Sequence, residues 1–309
     1  MKIIQTKDFP ISFFAMTMAF AGLTLAWRIS GIAPIVTLAW SVVSLVLFVI
    51  VAAKYITKFI KCREMVIKEF ENPIMMSFFG TISVSTMLIS TIFIGSLATV
   101  GFILWLCGTI MHSVLVVYVL GRWLFHNAIK LEEITPACFI PIVGLVIVPA
   151  TGSSYGLIEL CWLFWGIGLA LWIILFVLVF YRLMFASALP APMMPTMFIL
   201  IAPPSIIFND YINLTGGNLD AFANVVYGIP LLITIILISQ IKCFKVPFTM
   251  SYWAFTFPVV AFTMASLIRA NLTGGILTTG FAYVLLVVVT ILILSIFIFT
   301  IRKIVFVKN

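Results

Sequence analysis

Residues 33–53 read APIVTLAWSVVSLVLFVIVAA, and residues 54–68, directly after them, read KYITKFIKCREMVIK. The first 21 residues carry no charge and match the roughly 20 apolar residues that take a helix across a bilayer. The next 15 contain Lys54, Lys58, Lys61, Arg63 and Lys68. Basic residues collect on the cytoplasmic side as a chain inserts, so the two stretches together read as a transmembrane helix that ends inside.

The pattern repeats outward from there. With Ala33 to Ala53 as the second, ten apolar spans are expected: Phe9 to Trp27, Ala33 to Ala53, Ile74 to Ile94, Leu97 to Val119, Pro136 to Gly152, Leu160 to Phe180, Thr196 to Asn209, Ala221 to Ser239, Thr249 to Ile268 and Ile276 to Thr300. None contains Asp, Glu, Lys or Arg. Threaded this way, 15 of the 17 Lys and Arg residues fall on one side, including Lys2, Lys7, Arg122, Lys130, Arg182, Lys242, Lys245, Arg302, Lys303 and Lys308; only Arg28 and Arg269 fall on the other. The asymmetry predicts an even number of spans with both termini cytoplasmic, in the inner (cytoplasmic) membrane.

Composition agrees with this class. A hydrophobic fraction of 64%, a charged fraction of 8% and a mean hydropathy of +1.31 exclude a water-soluble globule, which carries about 25% charge. The net charge of +8 is accounted for by the positive-inside bias, so no nucleic-acid partner is implied. The first span has no clear small-residue cleavage site before Arg28 and reads as a retained helix rather than a signal peptide. Cys62, Cys107, Cys138, Cys161 and Cys243 form no C-x-x-C pair, so free thiols are expected, and neither a metal nor a cofactor. Met193, Met194 and Met197 read as packing residues.

Pro10, Pro73, Pro136, Pro195 and Pro247 stand near the starts of the odd spans, 63, 63, 59 and 52 residues apart. Proline suits a helix's first turn, where its missing N–H had no partner. The regular spacing indicates five repeated helical hairpins in one domain, 1–309. The loop sequence Asn213-Leu214-Thr215-Gly216-Gly217 recurs as Asn271-Leu272-Thr273-Gly274-Gly275, either as a trace of the repeat or as convergent turn chemistry. The odd spans hold further helix breakers, Pro141, Pro149, Pro203, Pro204 and Pro258. Kinks free carbonyls that lipid cannot satisfy. The predicted architecture is therefore all-α: odd helices inside, even helices facing lipid, and the five hairpins closed into a quasi-fivefold ring around a central pore.

Trp253-Ala254-Phe255-Thr256-Phe257-Pro258 in the ninth span resembles the ninth helix of the tellurite-resistance/dicarboxylate transporter family, which includes bacterial TehA-type channels and plant slow-type guard-cell anion channels. Weaker likenesses run in order along the chain: Phe14 and Leu23 to Trp27, Pro73 with Ser77-Phe78 and Thr86 to Leu88, Pro136 with Pro141, and Ile201-Ala202-Pro203. The resemblance implies a trimer with one pore per subunit, lined by odd helices and plugged by a phenylalanine at the position of Phe257. It makes Phe14, Ala15, Thr17, Ser83, Pro141, Pro203 and Pro258 the expected pore-lining positions. Kink prolines expected in the first and third helices are absent, with Thr17 and Ser83 near those places, so these helices are either straighter or bent by hydroxyl-to-backbone bonds.

An apolar ring in a narrow pore blocks ions sterically and by dewetting. Neighbouring Trp253 and Phe255 are expected to point elsewhere. Arg28 and Arg269 stand at the outer ends of two inner spans, as attractors for anions or as snorkelling anchors. Asp210 is expected to pair with one of them. Glu159 and Asp220 mark helix starts. His112, on an even span, reads as a packed, hydrogen-bonded histidine rather than a proton relay. No His pair or Ser with a base signals an enzyme. The expected function is passive, anion-selective conduction of small inorganic or organic anions, with a secondary carrier or effluxer of dicarboxylate, sulfite or tellurium oxyanions as the alternative.

Overall fold

The computed structural model describes residues 5–126, 129–244 and 248–306, so Lys2, Lys245, Pro247 and Lys308 lie outside the described residues. All regular structure among the described residues is helical. Ten segments are long and apolar enough to cross a membrane, as the sequence predicts.

The even spans are single long helices. They are α2 (Pro34–Lys61), α6 (Ala98–Phe125), α9 (Ile158–Phe185), α11 (Ala221–Ser239) and α13 (Ile276–Phe306). The odd spans are mostly pieced together. After α1 (Phe13–Ser30), the third span is α4 (Pro73–Phe78) and α5 (Gly80–Ser90), and the fifth holds α7 (Ile140–Ile147) and α8 (Pro149–Gly152) between 3-10 turns. The seventh is a 3-10 segment, Ala191–Ile201, running into α10 (Ala202–Leu214), and the ninth is a 3-10 turn and α12 (Trp253–Thr273). One further helix, α3 (Arg63–Glu71), follows α2 outside the spans. Pro192 and Pro195 remove N–H donors within Ala191–Ile201, which favours the tighter 3-10 path over an α-helix. The third span breaks at Phe79 without a proline: Thr81 and Ser83 each donate a hydroxyl to the carbonyl three residues back, at 2.5 and 3.0 Å. Hydroxyl back-bonding thus stands where a kink proline was expected.

Burial separates two layers. In the odd spans 72–78% of the apolar window is buried, against 17–33% in the even spans. The inner helices contact one another in a closed circuit, α1 on α5, α5 on α7, α7 on α10, α10 on α12 and α12 on α1. Each even helix lies on the inner helix of its own hairpin: α2 on α1, α6 on α5, α9 on α7, α11 on α10 and α13 on α12.

Lipid is as apolar as leucine, so close packing and polar bonds hold such layers together. Gly108 of α6 lets Met87 and the Ser83 carbonyl approach; a Cβ there would lie 2.7 and 3.0 Å from them. Indole nitrogens supply cross-layer bonds: Trp27 to Thr290 at 3.2 Å, Trp105 to the Val148 carbonyl at 2.9 Å, and Trp253 to Thr300 at 2.9 Å. Each such bond contributes about 1 kcal/mol.

Charged residues lie inside helices that were expected to end before them. Lys54, Lys58 and Lys61 belong to α2 and not to a loop, and α10 extends to Leu214 and so carries Asp210 within its span. The apolar window ends at the first charge, but nothing there breaks the helical backbone. Lys58 is only 1% exposed: its Nζ donates to Glu69 at 2.7 Å and to the Phe9 carbonyl at 2.9 Å, and Tyr55 donates to the other Glu69 oxygen at 2.9 Å. This cluster ties α3 and the entrance to α1 onto α2. The two NLTGG loops both end a helix with a left-handed glycine, Gly216 (φ 66°) and Gly274 (φ 63°), and in both the Thr hydroxyl bonds the carbonyl four residues back.

Candidate functional site

The odd spans all run from the lysine-rich end to the opposite, distal end, and three cavities succeed one another along them. The basal cavity, about 280 Å³, is lined by Ser12, Ile74, Met75, Phe78, Pro192, Met193, Thr196, Thr249 and Ser251. A middle cavity of about 30 Å³ follows, with Ala15, Thr81, Ile140, Ala202, Trp253 and Pro258 in its wall. The distal vestibule, about 450 Å³, takes in Arg28, Thr91, Ala150, Asn209, Asp210, Asn213 and Ile268. Along each inner span the lining residues advance in step, as in Ser12, Ala15 and Met18, Leu25 and Arg28 on the first.

Phe257 alone lines both the middle cavity and the distal vestibule. Its ring, 4% exposed, stands between them. The seat for the ring is Gly22 of α1, where a Cβ would lie 3.3 Å from two ring carbons and 2.9 Å from Val260 Cγ1. Pro258 prevents α12 from donating one backbone hydrogen bond just beyond the ring. The middle cavity holds about one water's volume, and the single hydroxyl in its wall, Thr81, donates to the Phe78 carbonyl. A space of that size admits a water, but with almost no polar surface to bond it the chamber stays dry.

The other expected positions divide. Ala15 and Pro258 line the middle cavity. Phe14 faces α2 instead, its ring edge-on to Phe48 at 6.5 Å and Tyr55 at 5.8 Å, while its carbonyl accepts from Thr17 and Ser85. Thr17 bonds Ser85 at 2.6 Å and joins α1 to α5. Ser83 meets His112 Nδ1 at 2.7 Å, and the Pro141 carbonyl meets His112 Nε2 at 2.6 Å. His112 is thus a fully buried, hydrogen-bonded histidine that fastens α6 to α5 and α7. Pro203 is buried in the first turn of α10, and its neighbour Ala202 reaches the cavity. Trp253 departs from expectation by lining the middle cavity, whereas Phe255 turns sideways onto Phe198 with centroids 5.0 Å apart.

At the distal end Arg28 lines the vestibule and its Nη1 donates to the Thr91 carbonyl at 2.6 Å. Arg269 turns to the outer layer, donating to Asn224 at 2.7 Å and lying 4.8 Å over the Tyr227 ring. Asp210 pairs with neither: among the described residues the one ion pair is Lys58 with Glu69. Glu159 lies in the first turn of α9, and Asp220 caps α11 by accepting from the Ala223 N–H at 2.9 Å. That bond, with one from Tyr211, holds the Asp220 carboxyl below its ordinary range. Gly22 is the site residue that the sequence pattern left without a role, and Asp210, expected to pair with an arginine, stands in the vestibule without one. Asp210 was signalled by being an acid beside an apolar span, and Gly22 by nothing but its place one helix across from Phe257.

A family described as voltage-dependent anion channel, SLAC1, matches residues 8–301. The S-type anion channel SLAH3 of Arabidopsis thaliana is 25% identical over 305 residues, 95% of this chain and 48% of that protein. The uncharacterized transporter MJ0576 of Methanocaldococcus jannaschii is 27% identical over 250 residues, covering 72% of this chain and 71% of its own. A tellurite resistance protein TehA homolog of Haemophilus influenzae is 25% identical over 230 residues, 72% of this chain and 70% of its own. The chain spans about half the length of the plant relative.

Proposed function

The chain belongs to the voltage-dependent anion channel family, SLAC1, and from that premise we propose that it is an anion-selective channel whose central pore is closed by the Phe257 ring. The observation that carries this reading is the line of three cavities along the inner spans, with Phe257 standing in the wall of two of them. The closed circuit of inner-helix contacts supports a quasi-fivefold ring of five hairpins. The membrane is the cytoplasmic one, both termini lie inside, and the distal vestibule opens outside; the basic residues at the opposite end support this orientation. By likeness to the family, three copies assemble, each with its own pore.

The permeant species is a small monovalent anion. Lys and Arg at the inner mouth and Arg28 at the outer one set a diffuse positive potential. Inside, hydroxyls and backbone at helix breaks offer only partial donors, which replace the shell of a weakly hydrated anion better than that of a dianion. A pinched middle cavity is equally the occluded state of a carrier. Recording the purified protein in planar bilayers under mixed salts separates the two. Unitary currents with nitrate favoured over sulfate are expected. Flux without unitary currents supports the carrier of dicarboxylate, sulfite or tellurium oxyanions, and cation preference refutes both.

A further inference from the structure

The distal vestibule contains a carboxyl that an anion pathway does not call for. Asp210 is 4% exposed, lines the vestibule, and its Oδ2 is buried with no hydrogen-bond partner. Its neighbour Asn209 gives its amide nitrogen to the Ala261 carbonyl at 3.3 Å and leaves a buried Oδ1 equally unpartnered. Arg28 lines the same vestibule and donates its Nη1 to the Thr91 carbonyl. An ionised carboxylate buried without a cation or a donor is strongly disfavoured, and an anion entering beside it would add like-charge repulsion. One proton on the carboxyl removes both costs and gives it an O–H to donate.

The surroundings offer little else that titrates. From α12 comes Arg269, held by Asn224 and Tyr227, and from α11 come Tyr227 and Asp220, the latter engaged at its own helix cap. From α9 come Glu159 and the buried thiol of Cys161, and α7, α8 and Ala191–Ile201 carry no ionisable side chain. Resting on the channel reading, we propose that the distal vestibule is a binding station for a monovalent anion together with one proton, the proton on Asp210 and the anion between that carboxyl and Arg28. The proton comes from the outer solution, sits on the Asp210 carboxyl while the anion is bound, and returns to solution when the anion leaves.

The test uses the full chain carrying Phe257→Ala in planar bilayers, with nitrate on both sides and outer pH stepped from about 7.5 to about 4.5. Anion current entering from the distal side is expected to grow with acid, approaching tenfold per pH unit, the limit for one linked proton. Asp210→Asn keeps a donor but cannot titrate, so its current should stay at the acid level at every pH. Asp210→Glu should restore the dependence. If the Asn variant does not reach the bilayer, Asp210→Ser is read in its place. A parent current that ignores outer pH, or a dependence that survives in the Asn or Ser variant, overturns the proposal. Absence of any anion current in the Phe257→Ala parent refutes the channel reading instead, and is seen before pH is varied.

Discussion

Replacing Phe257 with Ala removes the ring that stands between a 450 Å³ vestibule and a 30 Å³ chamber. On the proposed channel reading, an anion squeezing past the ring would give up at least one hydration contact, with no donor in the apolar wall to replace it. That loss costs about 3 kcal/mol. With the ring gone the two spaces merge and the water is kept, so passage should speed up by about two orders of magnitude. Folding should suffer at the low end of the usual 3–5 kcal/mol for Phe→Ala, because Phe257 already lines two cavities. The assay is macroscopic current in proteoliposome-fused bilayers, normalised to reconstituted protein. Phe257→Leu should fall between the parent and Ala, and Phe255→Ala should not open the path because its ring lies on Phe198. Unchanged current in Phe257→Ala, or opening by Phe255→Ala, would refute the reasoning.

Three further outcomes follow from the packing. Gly22→Ala should raise closed-state leak and lower thermal stability by about 1–3 kcal/mol, since its Cβ would meet Val260 Cγ1 at 2.9 Å and unseat the Phe257 ring; equal stability and equal leak count against the seat. Lys58→Met should destabilise the protein by about 3 kcal/mol in detergent melts, because Glu69 and the Phe9 carbonyl lose a buried partner, and Glu69→Gln should cost less; a neutral Lys58→Met result would contradict the cluster. The Asp220 carboxyl is held below its ordinary range by the Ala223 N–H. Its contribution is therefore present above that range and lost as pH falls through the lowered value, so hydrogen exchange at the start of α11 should accelerate there in acid, and Asp220→Ala should abolish that pH step.

Span number, inner and outer layers, and the register that faces Phe257 inward were legible because each rests on a strong signal: long uncharged windows, proline placement and the Phe257-Pro258 pair. The facing of the inner helices was not. Phe14, Thr17, Ser83 and Pro141 lie on helices buried on every side, so no polar stripe marks which face meets the cavity. Hydroxyls on such helices serve equally as pore wall or as interhelical bonds, and here Thr17 and Ser83 took the second role. Helix ends were misjudged for another reason, since hydropathy falls at Lys54 while backbone bonding continues to Lys61. The family that the chain matches is named for anions, a kind of information that neither periodicity nor packing expresses.

The long outer helices also have a mechanical consequence. Helices α2, α6 and α9 are 28 residues each, or about 42 Å at 1.5 Å per residue, against a hydrocarbon slab of about 30 Å. They must lean or protrude, and near the lysine end of α2 Lys58 grips the carbonyl of Phe9 at the start of the first inner span. A bilayer that thickens would change the lean of the outer wall and pull on that grip; one that thins would release it. Membrane thickness and lateral tension would thus reach the first inner helix, and with it the glycine on which the Phe257 ring rests.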